Sequence, residues 1–129
     1  MNKLIALLVF FTFTAKAEWT SVSFDQSKGL EYFVDTKTIE KTMGMVTVWN
    51  MENYQYSLDG SNIRSSVNLL LIDCDNNRVK YVYSFWYDDL NGQGLSQGNY
   101  LEPDIVWKDF QSGTHFANTQ RVVCSNRLN

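Results

Sequence analysis

Histidine and proline each occur once in this chain of 129 residues, and cysteine only twice. These scarcities close off much chemistry. One imidazole, His115, and two distant thiols, Cys74 and Cys124, cannot supply the Cys/His spacing of a zinc site. There is no C-x-x-C, no H-E-x-x-H and no G-x-S-x-G. A catalytic His115 would need an orienting acid and a nucleophile beside it, and the surrounding sequence offers neither. It reads instead as a polar residue in the first turn of a helix. Gly92-x-Gly94 lacks the third glycine and the strand–helix setting of a phosphate loop. Asp73 and Asp75 flank Cys74, and Asp88 adjoins Asp89, without the spacing of a calcium loop. They read as solvated charges at strand ends. The sequence thus offers no catalytic residues, no metal ligands and no cofactor.

Long apolar runs are also lacking, apart from one at the start. Met1-Asn2-Lys3 is a short basic opening, Leu4 to Phe13 is apolar except for Thr12, and Ala15-Lys16-Ala17 is an A-x-A cleavage signal. This is the pattern of a secretory signal peptide over residues 1–17, cut before Glu18. The run is shorter than the roughly 20 residues a membrane-spanning helix needs. No cysteine stands at the cleavage site, so the reading is an exported chain without a lipid anchor or a membrane span, resident in the periplasm, at the cell surface or outside.

Basic residues are few and scattered. Without residues 1–17, which hold Lys3 and Lys16 and no acids, nine basic and fourteen acidic residues remain, a formal charge of −5. Nucleic acid requires a basic footprint, and an anionic membrane surface a Lys/Arg cluster; neither is present. Residues 18–129 are the length of one domain.

Aromatics are abundant at 15% of the chain, including Trp19, Trp49, Trp86 and Trp107. That suits β-strands, their cores and protein-binding surfaces. The two cysteines of an exported chain most often pair, against the weaker alternative of a reactive or metal-binding thiol pair. Closing a loop of 50 residues would contribute about 4 kcal/mol in the chain-entropy picture.

Period-2 alternation recurs along the chain. Trp19 to Asp25 and Leu30 to Asp35 form a hairpin across Ser27-Lys28-Gly29. Asp35 caps a short helical or 3₁₀ turn reaching Glu40. Met43-Gly44 turns into a strand from Met45 to Asn53, and Leu58-Asp59-Gly60 is a further turn. Ile63 to Cys74 and Arg78 to Leu90 are long strands joined by Asp75-Asn76-Asn77, residues that tolerate positive φ. Val67, Leu69 and Leu71 lie on one face of the first, Leu70 and Ile72 on the other, as in a central strand packed on both sides. Asn91 to Pro103 is the loosest stretch, with a short strand around Leu95 to Tyr100. Phe116, Gln120, Val123 and Cys124 then make one helical stripe, capped by Ser112 or Thr114. The fold class is α+β: an antiparallel sheet of five to six strands with a C-terminal helix packed on one face, pinned through Cys124.

The order of these features carries a resemblance. Tyr32-Phe33-Val34-Asp35-x-x-x-Ile39 precedes Val46-x-Val48-Trp49 and Tyr54; Arg64-Ser65-Ser66 leads to Asp73-Cys74; then come Arg78, Trp86-Tyr87, Gly92-x-Gly94, Trp107 and Val122-Val123-Cys124. From about Trp19 to Cys124 the chain resembles the bacterial surface-adhesin protein E family. The resemblance implies an antiparallel sheet with its C-terminal helix tethered by the disulfide, and a non-enzymatic surface protein. It further implies homodimerisation and binding of host matrix or plasma proteins such as vitronectin, laminin and plasminogen. Two departures stand out: the missing lipidation cysteine, and an acidic Tyr83–Tyr100 region with no Lys or Arg, unsuited to a polyanionic partner. Tyr83, Trp86, Tyr87 and Tyr100 are the candidate binding residues. The alternative is a periplasmic envelope protein of housekeeping role. A small hydrolase or ligand carrier would need an apolar cleft with converging polar groups on the sheet.

If residues 1–17 are the signal, N-terminal sequencing of the exported chain begins at Glu18; a chain that retains Met1 in the exported fraction contradicts the assignment.

Overall fold

A computed structural model describes residues 17–58, 60–101 and 106–125. The signal segment before Ala17, Asp59 of the expected turn, and the end of the loose stretch at Pro103 lie outside the described residues. The elements are β1 (Trp19–Asp25), β2 (Leu30–Asp35), β3 (Glu40–Thr42), β4 (Met45–Tyr54), β5 (Ser65–Asp73), β6 (Arg78–Tyr87), β7 (Ser96–Leu101), β8 (Lys108–Asp109) and α1 (His115–Cys124).

All pairings are antiparallel, in the order β1-β2-β4-β5-β6-β7. The eight strands occupy six positions. β2 and β3 share one flank of β4, separated by a 3₁₀ turn at Thr36–Thr38, and β7 and β8 share one flank of β6. β3 and β8 escape sequence reading because they are three and two residues long, too short to show a period. The Asp35 cap behaves as expected: its carboxylate accepts from Lys37 N at 3.1 Å and from Glu18 N at 3.1 Å. Asn77 takes φ 52° in the β5–β6 turn, the conformation for which Asn is suited.

The core lies between the sheet and α1. Val34, Val46, Val48, Leu70, Ile72 and Val79 point toward the helix, and Val123 descends onto them. Each such side chain contributes about 1.5–3 kcal/mol through removal from water. Thr114, rather than Ser112, caps the helix by accepting from Ala117 N at 3.3 Å. Cys74, just past β5, is bonded to Cys124 in the last turn, with Cα atoms 5.9 Å apart.

The opposite face of β5 differs from expectation. Val67, Leu69 and Leu71 are only half-buried. They are neighboured by rings rather than by a second layer: Trp49 and Phe85 stand 6.2 Å apart and Tyr83 stacks on Phe85 at 4.7 Å. A 3₁₀ turn at Leu90–Gly92 packs against one end, where a Cβ on Gly92 would come within 2.9 Å of Val67 Cγ2. Gly92 also takes φ 66°, so glycine is required there on both counts.

Asp73 is a second correction. It is not a solvated strand-end charge but is 2% exposed. It accepts from Arg78 Nη2 at 2.7 Å, from Asn76 Nδ2 at 2.9 Å, and from the backbone of Asp75 and Asn76. Arg78 and Asn76 hold its carboxyl down to about 2. The pair closes the base of the β5–β6 hairpin beside the disulfide.

Replacing Cys124 by Ser removes the tether. The expected cost is about 4 kcal/mol, a fall of roughly 10–20 °C in thermal midpoint. The amides of α1 should then exchange ahead of those of β4 and β5; an unchanged midpoint would mean that packing at Val123 alone holds the helix.

Candidate functional site: the β6–β7 surface and a buried carboxylate

Alternation along β6 divides the four candidate residues between two faces. Tyr83 and Tyr87 share the helix-free face with Phe85. Trp86 points to the helix side, and Tyr100, paired across from Ser84, points the same way. The structure therefore puts Trp86 and Tyr100 on one face of the sheet and Tyr83 and Tyr87 on the other, not all four on one surface. They meet around β7, the last strand of the sheet. Five of the six β7 residues are exposed, and Leu95, Tyr100 and Leu101 are 73%, 49% and 56% exposed. Residues 96–101 contain no charge and no proline.

The loop leading into β7 is firmly built. Asp88 Oδ1 accepts from Leu95 N at 2.7 Å, and Asp89 Oδ1 caps the turn through Leu90 N at 2.7 Å. Ser65 Oγ donates to the Asp89 carbonyl at 2.5 Å and accepts from Gly92 N at 3.0 Å. Asn53 Nδ2 donates to Asn91 Oδ1 at 2.8 Å. The two aspartates thus shape the turn as well as making it acidic.

The helix side holds a feature that sequence reading passed over. The inward positions of β4 run Val46, Val48, Asn50, Glu52, Tyr54, turning from apolar to polar where α1 stops. Glu52 lies opposite Tyr32 on β2 and Ser66 on β5. Its Oε2 accepts from Asn68 Nδ2 at 3.0 Å, Ser66 Oγ at 3.3 Å and Tyr81 OH at 3.4 Å. Asn68 also donates to Asn50 Oδ1 at 2.8 Å, and Tyr54 OH lies 3.0 Å from Ser66 Oγ. Burial raises the Glu52 pKa against the opposing pull of those donors. Burial, then the Glu52 charge, pushes Tyr32 up to about 12 and raises Tyr54 and Tyr81 as well, so all three phenols keep their protons. The alternation of β4 carried a signal for this site: a Glu at an inward position of a core strand.

His115 does sit in the first helical turn. It stacks on Tyr32 with ring centroids 3.9 Å apart, and burial lowers its pKa. Phe116 meets Tyr81 edge-on at 5.9 Å. Among the described residues no group of three or more His, Cys, Asp and Glu side chains could hold a metal ion, and no helix is long and apolar enough to cross a membrane.

Comparison with known families places the model of the surface-adhesin protein E family on residues 19–125, nearly all of the described domain. The chain belongs to the surface-adhesin protein E family. Solved structures agree in fold. Crystal form II of Haemophilus influenzae protein E is 19% identical, over 85% of this chain and 98% of that one, with a TM-score of 0.57. A selenomethionine form of the same protein is 20% identical, over 74% and 79%, with a TM-score of 0.56. Protein E from non-typeable Haemophilus influenzae is 15% identical, over 88% and 80%, with a TM-score of 0.51. No curated protein matches the chain. This adhesin E-family member therefore shares its overall fold with protein E at 15–20% identity.

The Glu52 shift has a testable sign. A carboxyl whose folded pKa is raised binds its proton more readily folded than unfolded, so its penalty is present above the folded pKa and relieved as pH falls through it. Glu52→Gln retains an oxygen for the three donors and never charges. The wild type should gain stability relative to E52Q as pH falls from 8 toward 4, read by thermal midpoints. A constant difference would mean Glu52 is not destabilised by burial.

Proposed function

We propose that this chain is an exported, non-enzymatic binding protein, with residues 1–17 as its signal peptide and residues 18–129 as one domain, and that it engages host matrix or plasma proteins at its β6–β7 end. The observation that carries this reading is β7 itself, an edge strand with no further strand beside it among the described residues. Natural sheets guard such edges with charge, proline or cover, because unpaired N–H and C=O groups accept a further strand. Here residues 96–101 have no charge or proline, and Leu95, Tyr100 and Leu101 stand exposed along it. An extended segment of a partner can add to β7 through its backbone, with aromatic anchors on either side. Trp86 and Tyr100 offer apolar contact on one face, Tyr83 and Tyr87 on the other. Residues 81–107 hold no Lys or Arg, which disfavours polyanionic partners. Membership of the surface-adhesin protein E family supports a binding role in general.

The test is binding of the oxidised, exported chain to immobilised vitronectin, laminin and plasminogen, alongside surface protease accessibility on intact cells. Saturable micromolar binding that falls at least fivefold in Trp86→Ala or Tyr100→Ala supports the reading. No saturable binding, or confinement of the chain to the periplasm, overturns it.

A further inference from the structure

Glu52 presents an imbalance of donors and acceptors that the sheet does not resolve. Three donors converge on Oε2. The single proton of Ser66 goes to Glu52, so Tyr54 OH must donate to Ser66. The two amide protons of Asn68 are shared among Asn50, Glu52 and Ser66. The donors of the network that reach Glu52 thus all meet Oε2. No described residue donates to Oε1, and Glu52 is in neither of the two ion pairs found among the described residues, Lys37–Glu18 and Arg78–Asp73. Glu52 nevertheless keeps partial exposure, and neither of its oxygens is among the buried polar atoms left without a partner. A donor from outside can therefore reach Oε1.

The surroundings select the kind of donor. Tyr32 and Tyr54 flank Glu52 on the sheet, and Tyr81 reaches it across β5. The first turn of α1 fixes two of those rings, His115 stacking on Tyr32 and Phe116 meeting Tyr81. A partly buried carboxylate among tyrosines favours a cation over a neutral hydroxyl, because the ionic hydrogen bond is the stronger. The chain's own Lys108, exposed on β8, illustrates the preference: its Nζ lies 5.6 Å from the Tyr81 ring centre and its charge acts on Glu52 without forming an ion pair.

We propose that Glu52, with Tyr32, Tyr54 and Tyr81, forms a binding site for one ammonium or guanidinium group, the side-chain end of a Lys or Arg on a partner. The site is on the helix side of the sheet, separate from the open edge of β7, and the inference does not depend on strand addition there. The cation donates to Oε1, to which no described residue donates, and completes the coordination of a carboxylate that burial otherwise disfavours.

The experiment is a heteronuclear NMR titration of the oxidised, exported chain with n-butylammonium and n-butylguanidinium, and with 1-butanol as the neutral counterpart of equal chain length. Saturable shifts centred on Glu52, Tyr32, Tyr54 and Tyr81 with either cation, absent with butanol, are expected. E52Q, shown folded by its retained amide dispersion, should weaken the response at least tenfold. Equal response to butanol, an unaltered response in E52Q, or no saturation up to tens of millimolar cation would overturn the proposal. Because the probes are small molecules, failure here leaves the β7 reading untouched, and loss of host-protein binding in W86A leaves this one untouched.

Discussion

A ten-residue helix is about 15 Å long, and the ten-residue strand it packs against is about 33 Å. One helix of that size can cover only part of one face of the sheet, and much of the remaining architecture follows from this mismatch. Beneath the helix the inward residues are Val46, Val48, Leu70, Ile72 and Val79. Beyond it the same strands carry Asn50, Glu52, Ser66 and Asn68, bound to one another and to tyrosine hydroxyls. The polar half needs no second helix because its side chains hydrogen-bond to one another across the sheet's own surface. The helix is itself too short to be stable alone in water. It depends on Val123 in the core and on the bond from Cys124 to Cys74.

The other face solves its exposure differently. Val67, Leu69 and Leu71 would be a liability on an open sheet, and neighbouring Trp49, Tyr83 and Phe85 share their burial in place of a covering layer. That leaves β7 as the place where the fold is least guarded. The loop before it is pinned by Ser65, Asn53 and the two aspartates, so the edge is held in a fixed position with no described strand on its outer side. A rigid edge loses little entropy when a partner strand adds, which is the property a binding surface requires.

Which parts of this were legible in the sequence depended on length of pattern. β1, β2, β4, β5, β6 and the helix each run six residues or more, and their alternation or stripe, with turn residues between, marked them. β3 and β8 were hidden because pairing, not periodicity, makes them strands. The disulfide followed from cysteine scarcity in an exported chain. Asp73 was misread as solvated because nothing local reveals that Arg78 folds back across the hairpin onto it. The four aromatic candidates were grouped by nearness in sequence, whereas period 2 sends Tyr83 and Tyr87 to one face and Trp86 to the other. The Glu52 network was written in the sequence as a charge at an inward position, but its partners come from β2, β5 and β6 and converge only when the register is known.

The tether and the carboxylate stand at opposite ends of one short helix, and this couples them. His115 and Phe116, in the first turn, hold the rings of Tyr32 and Tyr81 beside Glu52, while Cys124, in the last, is bonded to the end of β5. The contacts of the first turn are stacking and edge-on ring contacts, each worth about 0.5–1.5 kcal/mol. They are too weak to order ten residues against the entropy of a free helix, which costs about 1–2 kcal/mol per residue of backbone. The covalent bond offsets about 4 kcal/mol of that cost and Val123 in the core offsets more, so the ring contacts add to an anchored helix. A disulfide that stabilises the fold thereby also helps to position the tyrosines around Glu52.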